Sequence, residues 1–118
     1  MEFTNFNFKD PVMLFAPFSI DKVLSGEKTV TRRLAKSPKC KYRPGLICSI
    51  KINVDSDSLG LIEIVDVKKE VLGQLTSKEA MLEGFGGKQG FYLFWDKLYG
   101  NIDFDTPVWR IEFSLKEL

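Results

Sequence analysis

The sequence predicts an α+β fold that is mostly β, namely a small and mostly antiparallel β-barrel with short helices at its periphery. Three observations predict it. The apolar patterns follow the order β-α-β-β-β-α-α-β, so strands outnumber helices. The connections between them are too short for the crossovers that parallel strands need. Closure into a barrel would also remove the exposed sheet edges, which favour aggregation.

The first part of the chain predicts a strand, a helix and a second strand. Val12–Phe15 is a short apolar run, which is typical of a buried strand. Phe18–Ser25 is amphipathic, with Pro17 suited to its first turn, and Gly26 is expected to end this helix in a left-handed conformation. Thr29–Leu34 alternates and is rich in β-branched residues, so it is expected to form a strand.

The middle of the chain predicts a hairpin after a loop. Ala35–Pro44 is rich in lysine, serine and proline, as expected of a loop. Leu46–Val54 alternates apolar residues, and the polar turn Asp55–Ser58 leads into the strand-like run Leu59–Val71. Met1–Lys9 fits either a tail or an added edge strand.

The last part predicts two helices and a closing strand. Thr76 is expected to cap a short helix, with Glu79 reaching back to it as in a capping box, and this helix ends at Gly84. Gln89–Tyr99 carries an aromatic stripe at helical spacing, which predicts core packing rather than a platform for stacking bases. Pro107–Leu115 alternates as a strand does.

Length and composition predict one domain over residues 1–118, with its core at about 12–115. The chain has 118 residues, of which 44% are hydrophobic and 28% charged, enough for both a core and solubility. No apolar run is long enough to span a bilayer, and the N-terminal residues lack the pattern of a signal peptide. We therefore expect a cytoplasmic protein with no membrane partner.

Charge and residue types narrow the chemistry. The net charge is +1, which argues against tight sequence-independent binding of duplexes. Between Lys28 and Lys51 the chain has basic residues and no acid, so either a positive face or a solvated rim is expected. Histidine is absent, and Cys40 and Cys48 lack metal-site spacing. We expect no metal, no cofactor and no disulfide.

The stretch GEKTVTRR, from Gly26 to Arg33, concentrates reactive side chains at one end of the predicted sheet. Strand alternation places Thr31 and Arg33 on one face and Arg32 on the other, while Lys28 lies on the preceding turn and can lean over the Thr31 face. Each residue also has an ordinary explanation, because cations suit helix C-termini and threonines suit strands.

Gly26, Lys28, Thr31 and Arg33 fit the signature G-x-K-x-x-[E/T]-x-R, and the chain resembles the ASCH domain from Val12 to Phe113. Further matching segments are the Tyr42…Gly45 turn, Leu72-Gly73…Leu75-Thr76, Glu83-Gly84-Phe85, Phe94-Trp95 and Pro107-Val108-Trp109…Phe113. The resemblance implies a PUA-like β-barrel with a cleft suited to RNA or a nucleotide base. Leu46 follows Gly45 where many members have aspartate.

The signature is most similar to that of a small amidohydrolase branch of this family, which acts on N4-acetylcytidine. The resemblance implies that Lys28, Thr31 and Glu83 form the catalytic set. Such a set is chemically reasonable, because a threonine hydroxyl becomes nucleophilic when a base removes its proton. Burial and nearby arginines would lower the pKa of a lysine toward that task, and a carboxylate could pass a proton to the leaving amine.

Four further residues are candidates for binding the substrate. Arg33 and Arg32 are expected to orient a phosphate or a base carbonyl, while Tyr92 or Phe85 would stack on a base. The partner is then a nucleoside or RNA. Two alternatives stay open: a non-catalytic RNA-binding or coactivator-like module that uses the loop at residues 36–43, and a ribonuclease.

Overall fold

The computed structural model describes residues 11–116, so the segment Met1–Lys9 lies outside the described residues. The strands are β1 (Val12–Leu14), β2 (Val30–Leu34), β3 (Ile47–Lys51), β4 (Gly60–Val71) and β5 (Pro107–Lys116). The helices are α1 (Pro17–Ser25), α2 (Ser77–Leu82) and α3 (Lys88–Tyr99). The predicted α+β class, dominated by strands, is confirmed.

The sheet does not close into the predicted barrel. Over residues 11–116 it is an open, mixed sheet with the strand order β1-β3-β4-β5-β2, so that β1 and β2 are its edges. β1 pairs with β3 in parallel, and the other pairs are antiparallel. The prediction that the connections are too short for parallel strands is therefore wrong for this pair. Between β1 and β3 the chain forms α1 and β2, which supply the length that a crossover needs.

A side chain spans the opening between the two sheet edges. Arg33 of β2 donates a hydrogen bond from Nη2 to the carbonyl oxygen of Leu14 in β1, over 2.9 Å. A side-chain hydrogen bond therefore joins the two edges where a backbone ladder would have closed a barrel. This opening is where the candidate site lies.

Two hydrophobic clusters support the sheet. The first includes Met13, Ile20 and Ile64, and joins α1 to the sheet. The second includes Leu72 and Trp95, and joins the last two helices to one end of the long strands. The five-residue strand β2 lies beside both clusters. Its partly buried Leu34 packs against the second cluster, and the β5 residues that pair with β2 contribute to both clusters.

Two of the predicted helix-end signals, those of Gly26 and Thr76, are confirmed, and one predicted hydrogen bond is wrong. Gly26 ends α1 with φ of 86°, a conformation that favours glycine. Thr76 caps α2 by accepting a hydrogen bond from the Glu79 amide over 3.1 Å. The predicted return bond from Glu79 is wrong, because its carboxylate binds two arginines instead, Arg32 and Arg110.

Candidate active site

The signature residues are held against the end of α2 by their own backbone. Lys28 lies in the short connection between α1 and β2, and its amide donates to the carbonyl of Lys22 over 3.0 Å. The next amide, that of Thr29, donates to the carbonyl of Leu82 over 2.9 Å. The carbonyl-rich C-terminal end of α2 thus meets the turn that carries Lys28, and a helix C-terminus favours a cation.

Lys28 is buried and fully hydrogen-bonded. Its Nζ donates to the carbonyl of Val30 over 3.0 Å, and to both the carbonyl and the Oε1 of Glu83 over 2.9 Å. The residue is 4% exposed. Three acceptor oxygens match the three protons of an ammonium group, so the arrangement is that of protonated lysine.

Burial lowers the pKa of Lys28 from its ordinary value, because the charged form loses its hydration. The carboxylate of Glu83 opposes this shift, while the nearby Arg33 and Arg32 add to it. The net direction is downward. Lys28 therefore gives up its proton more readily than a lysine in water does.

Glu83 joins Lys28 to Arg32 and so to a wider ion network. Its Oε2 lies 3.0 Å from Nη1 of Arg32, and both residues are almost completely buried. Nη2 of Arg32 also contacts Oε1 of Glu79 over 2.7 Å and that of Glu70 over 3.1 Å. Buried ion pairs are costly to break from one side, because an uncompensated charge is left behind.

Glu79 anchors the outer end of this network. Its Oε1 lies 2.6 Å from Nε of Arg110, and a second bond joins Oε2 to Nη2 over 3.1 Å. Hydrogen bonds from Arg110, followed by those from Arg32, lower the pKa of Glu79 to about 2 against the opposing effect of burial. Glu79 therefore stays charged across the neutral and mildly acidic range.

Thr31 and Arg33 face the same opening from β2. Nε of Arg33 donates to Oγ1 of Thr31 over 3.3 Å, so this hydroxyl is an acceptor and its own proton remains free to be donated. The guanidinium carbon of Arg33 lies 5.0 Å from the centroid of the Phe15 ring, a distance at which a cation–π contact is attractive. These contacts fix the guanidinium beside Thr31.

A cavity of about 340 Å³, which we call the cleft, brings these groups together. It lies between the two sheet edges, α1 and α3. The predicted residues that line it are Lys28, Thr31, Arg32, Arg33 and Glu83. The other lining residues are mostly apolar or aromatic: Leu14, Phe15, Ala16, Ser19, Ile52, Phe91, Phe94, Trp95, Leu98 and Tyr99. The cleft thus has a charged end and an apolar wall.

Tyr92 and Phe85, the predicted stacking residues, do not line the cleft. The hydroxyl of Tyr92 donates to the carbonyl of Leu72 over 3.1 Å, and its ring packs edge-on against Phe104. Phe85 is half-buried and packs against Phe18, Phe91 and Phe94. Both rings are thus engaged in packing contacts outside the cleft lining, and their role in stacking stays a prediction.

The aromatic stripe of α3 supplies the wall that sequence reasoning missed. Phe91 and Trp95 are buried, as the prediction of core packing requires. Phe94, Leu98 and Tyr99 line the cleft as well. The same i, i+3, i+4 spacing serves a core and a cavity wall, so periodicity alone does not separate them.

A second cavity of about 340 Å³ lies next to the cleft, and we call it the loop cavity. Arg33 and Tyr99 line both cavities. The other residues of the loop cavity are Leu34, Lys36, Ser37, Lys39, Cys40, Lys41, Tyr42, Trp109 and Ile111. Arg43, at the end of the basic loop, is not among them.

Two absences hold for the part of the chain that the structure describes. Among residues 11–116, no group of three or more histidine, cysteine or acidic side chains is placed to hold a metal ion. Within the same range, no helix has the length and apolar character to cross a membrane.

Comparisons with known proteins give the fold. No family model matches the chain, and no curated protein sequence matches it. An ASCH domain from Lactobacillus crispatus JV V101 is similar in structure, with a TM-score of 0.71, 18% identity, and coverage of 89% of this chain and 78% of that one. A protein of the family model DUF984 from Enterococcus faecalis V583 has a TM-score of 0.65, 17% identity and the same coverage. The hypothetical protein PH0355 has a TM-score of 0.68 and 14% identity, with 89% of this chain and 97% of that chain covered. The chain thus has the fold of an ASCH domain.

Proposed function

We propose that this protein binds a nucleobase in the cleft and acts there as a metal-free amidohydrolase that releases cytidine from N4-acetylcytidine. The observation that carries the proposal is the buried Lys28–Glu83–Arg32 ion network at the end of a cavity whose lining also includes Thr31. Buried charged groups that line a cavity are frequent in active sites, because burial and close partners adjust their pKa values.

The dimensions and walls of the cleft suit a small aromatic ligand. Its volume of about 340 Å³ falls within the range of roughly 300–1,000 Å³ that is usual for small-molecule sites. The apolar wall offers ring surface from Tyr99, which is 42% exposed and packs on the buried Trp95 with the two ring centroids 4.5 Å apart. A pyrimidine ring could pack there while polar groups at the other end contact its substituents.

The proposed reaction uses Thr31 as nucleophile and Lys28 as base. In its neutral form, Lys28 takes the proton of the Thr31 hydroxyl as Oγ1 attacks the acetyl carbonyl carbon. The same amine returns this proton to N4 as the carbon–nitrogen bond breaks and cytidine leaves. Water then hydrolyses the ester on Thr31 and acetate is released.

The geometry defines what Lys28 must do first. In the described structure it donates to three oxygens, two of them from Glu83, and its amine is not hydrogen-bonded to Thr31. To act as a base it must lose a proton and with it one of these bonds. Both carboxylate oxygens of Glu83 are already engaged, with Lys28 and Arg32, which supports a role for Glu83 in holding Lys28 as the proton moves.

The first experiment measures release of cytidine from N4-acetylcytidine by chromatography. We expect release by the wild type, and we expect Thr31→Val to reduce kcat/KM by at least about 1,000-fold, as loss of a nucleophile does. Thr29→Val is the matched control, since it makes the same exchange two residues earlier, outside the cleft lining. No release at high protein concentration would overturn the amidohydrolase proposal.

The pH profile tests the role of Lys28. We expect kcat/KM to rise with pH as the neutral amine becomes populated. Because Glu83 raises the pKa of Lys28 and Arg33 lowers it, Glu83→Gln should shift this rise to lower pH and Arg33→Gln to higher pH. Circular dichroism checks that both variants are folded. Shifts in the same direction would contradict the assignment of Lys28 as base.

The second candidate is a non-catalytic RNA-binding module, which the lysines lining the loop cavity favour. Thr31→Val separates the two functions. A module should retain its RNA affinity in this variant, and its affinity should fall steeply with salt concentration. A hydrolase should lose turnover in the same variant.

A further inference from the structure

The loop cavity has a one-sided charge. Lys36, Lys39 and Lys41 line it together with Arg33, and none of its lining residues is acidic. Within residues 11–116, none of these four cations lies within 4.0 Å of a carboxylate oxygen. Like charges around one concave space repel each other, and an anion bound between them would relieve that repulsion.

The remaining lining explains why the charges stay at the rim. Tyr42 and Ile111 are buried and Trp109 is partly buried, so they close the inner side of the cavity with apolar surface. The three lysines are exposed. Their flexible ammonium groups suit a phosphate, which lysine binds as a point charge.

Arg33 and Tyr99 line both cavities, which places the cleft and the loop cavity next to each other. Arg33 is fixed there by its bonds to Leu14 and Thr31 and by the Phe15 ring. A ligand with its base in the cleft would therefore extend past Arg33 into the lysine-lined space. The part of a nucleotide that carries negative charge next to the base and ribose is its phosphate.

We propose that the loop cavity binds a phosphate group attached to the nucleoside whose base occupies the cleft. This inference rests on the proposed function, and it assigns the preferred substrate class: a phosphorylated nucleotide, which binds more tightly than the free nucleoside. The phosphate ester has two sources, a mononucleotide and the backbone of an RNA strand, and the chemistry of the cavity is common to both.

The test compares the affinities of three probes by isothermal titration calorimetry, so that it does not depend on turnover. The probes are cytidine, cytidine 5′-monophosphate and a short single-stranded oligoribonucleotide that contains cytidine. We expect at least one phosphorylated probe to bind about tenfold or more tightly than cytidine, a difference of about 1.4 kcal/mol. This preference should decrease as salt concentration rises.

Charge variants locate the preference. In Lys36→Gln/Lys39→Gln/Lys41→Gln, we expect the affinity for cytidine to be unchanged and the preference for phosphate to be lost. The matched control is Lys68→Gln/Lys78→Gln/Lys88→Gln, which removes the same charge from exposed positions outside both cavities. A preference that survives in the first variant, or is lost equally in the control, would overturn the assignment.

The outcomes separate this inference from the proposed function. Tighter binding of the mononucleotide supports that source, and tighter binding of the oligonucleotide alone supports an RNA backbone. A lysine-dependent preference for phosphate without hydrolysis of N4-acetylcytidine would support the phosphate site and overturn the enzyme. Equal affinities for all three probes would overturn the phosphate site while leaving the cleft proposal intact. Failure of every probe to bind would overturn the phosphate site, and the release of cytidine from N4-acetylcytidine would then decide the enzyme by itself.

Discussion

The cleft and the loop cavity have the same volume, about 340 Å³, but hold their cations in opposite ways. In the cleft, Lys28 and Arg32 are buried and each is paired with Glu83. In the loop cavity, the lysines are exposed and have no carboxylate within 4.0 Å among residues 11–116. A buried charge requires a fixed partner, whereas an exposed lysine is stabilised by water. The cleft is thus built for fixed geometry, and the loop cavity for long-range attraction.

The largest expected effect is loss of the buried carboxylate. Glu83→Gln leaves Lys28 and Arg32 with a neutral partner in a buried site, so we expect a loss of about 3 kcal/mol in the free energy of unfolding. Urea denaturation measures it. Glu63→Gln is the control, because the side chains of the Glu63–Lys116 pair are 38% and 42% exposed, and such a pair should contribute less than about 1 kcal/mol. Equal losses in the two variants would remove the distinction between paired buried charges and surface charges.

The next effect concerns acid stability and the outer end of the same network. The pKa of Glu79 in the folded protein is about 2, below its ordinary value of 4.5. The unfolded chain therefore binds the proton more readily, and the stability from Glu79 is present above pH 4.5 and lost as pH falls toward 2.

We expect Glu79→Gln to reduce stability at pH 7 and to flatten its decrease between pH 4.5 and 2, as measured by thermal unfolding at a series of pH values. Asp57→Asn, at an exposed position, should leave the slope unchanged. An unaltered slope in Glu79→Gln would mean that its bonds to Arg110 and Arg32 do not hold it charged.

A smaller effect separates the wall of the cleft from the packing beneath it. Tyr99 lines both cavities, whereas Tyr92 lines neither. We expect Tyr99→Leu to weaken cytidine binding about tenfold, in line with about 1–3 kcal/mol for stacking a base on an aromatic ring. Tyr92→Leu should leave that affinity unchanged and lower the melting temperature, since it removes the bond to Leu72. Weaker cytidine binding in Tyr92→Leu, with unchanged binding in Tyr99→Leu, would instead assign base stacking to Tyr92.

The elements of the fold were predictable from local patterns, and the arrangement of the sheet was not. Gly26 and Thr76 act at single helix ends, so their signals are read over a few residues. The parallel pairing of β1 with β3 joins residues 12–14 to 49–51, and nothing in either segment encodes its partner. The open sheet follows from this pairing, which puts β1 at an edge.

The candidate site was predicted in part for the same reason. Lys28, Thr31 and Glu83, which the family resemblance groups as a catalytic set, line one cleft. Alternation along β2 predicted that Arg32 would lie on the face opposite Thr31, whereas both residues line the cleft. The alternation pattern did not show that Glu83 would bind Lys28 with one carboxylate oxygen and Arg32 with the other. That arrangement depends on how α2 packs against β2, which is a tertiary contact.

The smallest expected effect completes the comparison from the side of the loop cavity. Lys36→Gln/Lys39→Gln/Lys41→Gln should change the free energy of unfolding by less than about 0.5 kcal/mol, as substitutions at exposed positions usually do. Urea denaturation at low salt is the sharpest measurement, because mutual repulsion among the lysines is then least screened and its removal would give a slight gain. Stability would then depend on the cations of the cleft and not on those of the loop cavity. A loss above about 1.5 kcal/mol, well beyond the range for surface positions, would instead mean that these lysines hold the loop in place. The cations of the loop cavity would then stabilise the fold, as those of the cleft do.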